Sequence, residues 1–301
     1  MWIVNNRKIF YAISIILIVL SIASLAVWKL LPSIDFTGGT LIDVTYSGST
    51  TPDRAAITSG LATIDPSASV RMSGASEYIV RMKAIDQDQK SSVLNALSLN
   101  GTASSTISSF DSVGPVLGVE AVKSSVVSII LVILGIILYI TFAFRKVSEP
   151  VSSWKYGLVA VVSLVHDVII PIGAFSILGH FAGYEVDTLF VTAVLVILGF
   201  SVHNTIVVFD RVRENLKNSS GKKPFVEIVG ESISQTFTRS MNTSATVLLA
   251  LVILHIFGGS STAHFTLALI IGIVAGTFSS VFIGSPLLVT LERLQAKKKT
   301  F

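Results

Sequence analysis

Three polar clusters interrupt long apolar runs in this 301-residue chain: His166-Asp167, His203-Asn204-Thr205, and Arg239 with Asn242-Thr243-Ser244. An ionisable side chain in hydrocarbon is costly, so it faces the inside of a helix bundle and has a partner there. The chemistry open to these groups is proton binding and release. A buried carboxyl such as Asp167 can take up a proton when no cation stands beside it. An imidazole can do the same in the physiological range. Arg239 keeps its charge and could pair with Asp167, each offsetting the other's cost. Each cluster also has a structural reading. His166-Asp167 could lock two helices together, Arg239 could snorkel to headgroups, and His203–Thr205 could be interhelical hydrogen-bonding glue.

Other chemistry finds little support. The chain has no cysteine, which excludes disulfides and thiol catalysis. His166, His180, His203, His255 and His264 are scattered without zinc spacing. No G-x-x-x-x-G-K-[ST] loop or dinucleotide fingerprint is present. No cofactor and no metal are expected, and the chain does not read as an enzyme. Any work it does must be driven by an ion gradient or a partner.

The elements that must hold these groups are membrane spans. Hydrophobic residues make up 51% and charged residues only 13%, about half the charged share of a soluble protein; mean hydropathy is +0.76. A helix needs roughly 20 apolar residues to cross a bilayer. Six candidates are Ile9–Leu31, Val122–Phe144, Tyr156–Gly179, Val186–Phe209, Phe237–Phe257 and Phe265–Leu288. The first is too long for a signal-peptide core and reads as a retained span. The net charge of +4 sits at span edges, which points to membrane orientation rather than nucleic acid. Arg7-Lys8, Arg145-Lys146, Arg211, Arg213, Lys217, Lys222, Lys223, Arg293 and Lys297–Lys299 fall on one side, and the loops near His180–Glu185 and Gly258–Ala263 carry no Lys or Arg. By the positive-inside rule both termini are cytoplasmic and the polar stretch after the first span lies outside.

The expected domains are a first span (1–31), a periplasmic α+β domain (32–121), a five-helix membrane bundle (122–292) and a basic cytoplasmic tail (293–301). Within the insert, Thr40–Tyr46 alternates as a strand and Asp53–Ala62 reads as a helix. Ala68–Gly74 and Glu77–Lys83 read as strands around a turn, Asp88–Leu99 as a helix, and Ser105–Val113 as a last strand. The order β-α-β-β-α-β predicts a ferredoxin-like fold, a binding or conformational module without an obvious catalytic group. Between the fourth and fifth spans lies a cytoplasmic amphipathic segment (210–236). Its Phe225, Ile228, Val229, Ile233 and Phe237 recur at helical spacing after Pro224, as in a helix lying on the membrane surface. Asp210-Arg211 and Arg213-Glu214 read as interfacial anchors. Gly272, Gly276, Ser280 and Gly284 recur every four residues and make a stripe where another helix can approach closely.

Five stretches carry a family resemblance: "IDFTGGT" (34–40), "SVGPVLGVE" (112–120), "LVHDVIIPIGAF" (164–175), "GFSVHNTIVVFDRVREN" (199–215) and "QTFTRSMNTSATVLLALVILHIFGG" (235–259). Together they resemble the SecF family of protein-export membrane proteins, within the SecD/SecF group of the resistance-nodulation-division superfamily. The resemblance covers nearly the whole chain. It implies six spans with a periplasmic domain after the first. It also implies pairing with SecD, association with the SecYEG channel and YidC, and use of the proton-motive force to draw preproteins across or into the cytoplasmic membrane after SecA has pushed them. Asp35, Phe36, Thr37, Gly38 and Gly39 are its periplasmic junction motif. The family commonly reads Y-S-x-[N or H]-D-T where this chain has Phe200 to Thr205, and its Asp is the implied proton carrier. Here Asn204 takes the Asp position and Phe200 the Tyr position; Thr205 matches, and Arg239 is the motif's arginine, expected to face the relay site. An amide cannot exchange a proton near neutral pH. Three explanations fit: an engineered block; a natural Asn in a scaffold subunit whose partner SecD carries the proton; or a role passed to His203 or Asp167. A small-molecule exporter of the wider superfamily is a weaker alternative, because the chain has a single small insert.

Overall fold

The computed structural model describes residues 1–47, 51–144, 153–219 and 222–299. The chain divides into two compact units, one of Pro32–Val126 and one of Met1–Leu31 with Val127–Phe301.

The Pro32–Val126 unit follows its alternation of apolar and polar residues. A short turn of helix α3 (Ile34–Thr37) leads into β1 (Gly39–Tyr46), α4 (Arg54–Ala62), β2 (Ser69–Met72), β3 (Glu77–Met82), α5 (Gln87–Leu97) and β4 (Ser105–Val113). The sheet order is β2-β3-β1-β4, and every neighbouring pair is antiparallel. Successive strand residues face opposite sides. Ile42, Val44 and Tyr46 of β1 and Tyr78, Val80 and Met82 of β3 are therefore buried on one face, where Ile57, Leu61, Val93 and Leu97 of the two helices complete the core. The Tyr46 hydroxyl donates to the Leu97 carbonyl at 2.7 Å, satisfying its one buried polar atom.

The IDFTGG turn needs both its glycines. Gly38 and Gly39 have φ of +69° and +131°, a backbone conformation that side chains oppose. A Cβ on Gly38 would also lie 2.9 Å from Pro115 Cα, and one on Gly39 2.9 Å from the Met82 carbonyl oxygen. Ser33 Oγ accepts from the Asp35 N–H at 3.1 Å and caps α3. Arg81 donates to Thr37 Oγ1 and to the Pro32 carbonyl, both at 3.0 Å. Phe36 contributes its carbonyl, 2.9 Å from where a Cβ on Gly118 would stand. These junction residues form a tight corner beside the start of the next helix.

The other unit is helical. It contains α1 (Trp2–Asn5), α2 (Arg7–Trp28), α7 (Ser153–Ala182), α8 (Thr188–Ser219), α9 (Phe225–Phe257), α10 (Ser260–Ser279), a π-helical turn (Ser280–Gly284) and α11 (Ser285–Lys299). Helix α6 (Pro115–Ala143) starts in the first unit and ends in this one. Its first residue is proline, whose missing N–H would have no helical partner there. Among the described residues, six stretches are long and apolar enough to cross a membrane: α2, α6, most of α7, α8, α9, and Thr262–Gln295. The core of this unit is made by α7, α8 and α10 packed on one another, with α2 laid along α7.

The amphipathic segment differs from expectation. Its part from Phe225 on is the opening of the 33-residue α9, which runs on into the span as anticipated; what differs is the cover on its apolar face. Its Phe225, Ile228, Val229 and Ile233 are buried within the protein, beside α1 and α8, rather than left open for lipid. A helical period identifies an apolar face but does not say what covers it. The charged residues near the end of α8 pair one turn apart, Arg213 with Asp210 and Arg211 with Glu214, both at 2.6 Å, as helix geometry favours. Arg145 and Lys146, read above as orientation signals, lie outside the described residues.

Candidate functional site

Asp167 lies at the centre of the helical unit and is fully buried. Helix α7 places it against α8 and α10. Its Oδ2 accepts from the Ser279 hydroxyl at 2.8 Å and from the Ser201 hydroxyl. Its Oδ1 is 2.8 Å from His166 Nδ1. His166 is 2% exposed, and its Nε2 is 2.9 Å from Ser14 Oγ on α2. The Phe278 ring stacks on the imidazole at 6.3 Å. The His166-Asp167 pair on α7 thus collects partners from three other helices, α2, α8 and α10.

The small-residue stripe makes this convergence sterically feasible. A Cβ on Gly276 would stand 3.2 Å from Ser201 Cβ and 3.5 Å from Asp167 Oδ2. On Gly272 it would collide with Ile197 Cδ1 at 2.1 Å, and on Gly284 it would meet Ser163 Oγ at 3.0 Å. Ser280 is fully buried and donates to the Thr277 carbonyl. Regular helix geometry breaks on both sides of the carboxyl. Pro171 stands four residues after Asp167 within α7; having no N–H, it leaves the Asp167 carbonyl without its helical donor. The π-helical turn begins directly after Ser279, and such turns re-aim the side chains around them.

Asn204 and Thr205 are also buried, each 2% exposed. Asn204 follows Ser201 by three residues on α8, about 4.5 Å along the helix axis. Its Nδ2 has no hydrogen-bond partner among the described residues, and neither do the buried hydroxyls of Ser163 and Ser240. His203 and Arg239, in contrast, are on the exposed surface of the unit. A pair between Asp167 and Arg239 is therefore not formed, and Arg239 does not face the carboxyl. The rotation of α9, set by burial of Ile233, Thr236 and Ser240, turns it away. Ser14, Ser201 and Ser279 escaped the sequence reading because a serine in an apolar helix is locally unremarkable. The one available signal was spacing: Ser14, Ser21 and Ser24 share a helix face.

Relatives in sequence and structure agree with this architecture. Residues 93–294 match the profile of the family described as protein export membrane protein SecD/SecF, C-terminal. A protein translocase subunit SecF from Anaerolinea thermophila is 37% identical over 294 residues, covering 96% of this chain and 94% of the relative. Another from Thermobaculum terrenum is 53% identical over 183 residues, covering 61% of this chain and 56% of the relative. The crystal structure of SecDF, a translocon-associated membrane protein from Thermus thermophilus, superposes with a TM-score of 0.81 at 28% identity. That match covers 96% of this chain and 38% of the larger SecDF chain. With two-thirds of its length inside the family profile and near full-length SecF relatives, this six-span bacterial membrane protein belongs to the SecD/SecF family of protein-export proteins, as a SecF.

Proposed function

We propose that this chain works with SecD as an auxiliary unit of the Sec translocase, and that Asp167 is the group in its own bundle that binds and releases a proton. The observation that carries this reading is the ring of partners around a fully buried carboxyl: two hydroxyls on Oδ2 and an imidazole on Oδ1. A hydroxyl can donate or accept, and an imidazole can move its proton between nitrogens. The site can therefore accommodate either protonation state without leaving an orphaned polar atom. Asn204 stands where the family carries its Asp and cannot exchange a proton; Asp167, bonded to Ser201 three residues earlier on α8, can. Proton passage here would drive motion of the 32–126 unit and so help draw a preprotein outward. SecYEG, YidC and SecA are the partners implied by the family. Both termini face the cytoplasm in this reading, supported by the Lys and Arg of Arg7-Lys8 and Arg211–Lys223. The sheet order and antiparallel pairing of the 32–126 unit support a ferredoxin-like fold.

The test is preprotein export into vesicles containing the translocase, SecD and this chain, with and without an imposed proton gradient. Asp167→Asn is expected to reduce export to its gradient-independent level. If gradient-driven export persists in Asp167→Asn, the proton passes elsewhere. Asn204 itself favours that second reading, a scaffold that supports a proton-carrying SecD. Asn204→Asp then separates the two further: a sharp gain in gradient-driven export marks a blocked carrier at that position.

A further inference from the structure

Helix α2 is the only covalent link on the N-terminal side of the 32–126 unit, and its contact with the bundle is unusual. Its buried residues are Phe10, Ser14, Ser21 and Ser24, while large aliphatic side chains such as Ile15, Val19 and Val27 are exposed. Serines thus dominate the face that meets α7. Ser24 Oγ is within hydrogen-bond range of the Gly173 carbonyl at 3.1 Å. Ser176 Oγ reaches the carbonyls of Ser24 at 2.9 Å and Lys29 at 2.7 Å. Gly173 lets the two backbones meet, since a Cβ there would lie 2.3 Å from Ser21 Cβ. Small polar faces of this kind bring helices close without interlocking large side chains.

At the Ser14 level this face joins the buried carboxyl through the chain Ser14–His166–Asp167, with steps of 2.9 Å and 2.8 Å. We propose that His166 is a positioning residue that relays the charge state of Asp167 to Ser14, and thereby sets the position of α2. The inference rests on the proton-binding reading of Asp167 given above. With the carboxyl ionised and the imidazole neutral, Nδ1 carries the hydrogen and donates to Oδ1. Nε2 is then a bare acceptor, and the Ser14 hydroxyl donates to it. Add one proton to the pair. Oδ2 already accepts from two hydroxyls, so the proton is shared on the imidazole side. If it stays on the ring, both nitrogens carry hydrogen. If Oδ1 carries a hydrogen and donates it to Nδ1, the ring hydrogen is on Nε2. In both arrangements Nε2 has become a donor, and Ser14 must turn from donor to acceptor. One proton reverses the polarity of the link. The freed Ser14 hydrogen is then available to a carbonyl of the preceding turn of α2. Among the described residues no other charged side chain is hydrogen-bonded or ion-paired to His166 or Asp167. The groups facing the pair are Ser14 from α2, Ser201 from α8, and Ser279 and the Phe278 ring from α10.

The experiment uses the intact chain with SecD in lipid nanodiscs. Because this chain has no cysteine, the exposed pair Leu20→Cys on α2 and Val196→Cys on α8 takes spin labels selectively, with SecD made cysteine-free. Label separation is followed against pH by pulsed electron resonance. Protonation of Asp167 is followed on the same samples by its infrared carboxyl band, identified by subtracting Asp167→Asn. The expected result is a separation that changes with the same midpoint as the carboxyl band. In Ser14→Ala the band still titrates, moved by no more than about one pH unit, the scale of one hydrogen bond, while the separation stays constant. Ser14→Thr, which keeps a hydroxyl, retains the change. If Ser14→Ala fails to assemble with SecD, His166→Asn is read in its place, with the same loss of response expected. A full pH response in Ser14→Ala or His166→Asn, or none in the wild type with a titrating band, overturns the relay alone. A carboxyl band that never titrates overturns both the relay and the proton-binding role of Asp167.

Discussion

Asp65 and Asp167 are both buried carboxylates, one in each unit, and they are held in opposite ways. Asp65 Oδ2 accepts from the backbone N–H of Lys83 at 2.7 Å, and Oδ1 from the backbone N–H and hydroxyl of Ser67 at 2.9 Å and 2.6 Å. Backbone N–H groups can only donate, so they favour the anion and disfavour the acid. The Lys83 N–H, followed by the Ser67 hydroxyl, holds the Asp65 carboxyl below its ordinary value. Asp167 has no backbone donor among its partners; hydroxyls and an imidazole surround it, and each can reverse its role. The first arrangement fixes a charge to pin the loop between α4 and β2 to the end of β3. The second surrounds the carboxyl with groups that can either donate or accept.

The contrast is tested most strongly at Asp167. Asp167→Asn is expected to remove the gradient-driven share of export while leaving the folded bundle intact, because an amide oxygen still accepts from Ser201 and Ser279. Circular dichroism melting beside the export assay checks both halves. A melting loss as large as the functional loss would make Asp167 a structural group like Asp65. Packing around it comes next. Gly272→Ala places a methyl against Ile197 and is expected to cost about 1–3 kcal/mol, measured by unfolding in mixed micelles.

Asp65→Ala removes the acceptor for three donors and is expected to cost about 1–3 kcal/mol at neutral pH, read by hydrogen exchange in the intact chain. The pH dependence has a definite sign. Because folding lowers the Asp65 carboxyl, its contribution is fully present above the unfolded value of about 3.9. It fades as pH falls through the lower folded value, so wild type and Asp65→Ala converge in acid. A gap that widens in acid would contradict the anion-locking account. The smallest effect is expected at Arg239, which is exposed in this chain. Arg239→Gln should change its stability by no more than about 0.5 kcal/mol; a loss of several kcal/mol would show that the guanidinium has a structural partner within the chain.

Much of the fold was legible because it is local. Strand alternation placed Thr40–Tyr46 and Ser105–Val113 within a residue of β1 and β4. Apolar length located all six spans. What was not legible was rotation about each helix axis. His203 and Asn204 are neighbours in sequence, yet one is exposed and the other buried. Arg239 was expected to face the relay site at Asn204, and the neighbour it precedes, Ser240, is the residue that turns inward. Phe225, Ile228 and Val229 declared an apolar face without declaring that α1 and α8 would cover it.

The sequence by itself determined that this is a six-span membrane protein with one α+β insert, because hydrophobic length and period are properties of each segment alone. It also placed a carboxyl, His166 and a small-residue stripe in the spans. Only the tertiary structure decided that Ser14, Ser201 and Ser279, drawn from three other helices, would meet that His-Asp pair. Side-chain hydroxyls become a site when helix packing brings them within hydrogen-bond distance, and no local preference of the chain encodes that convergence.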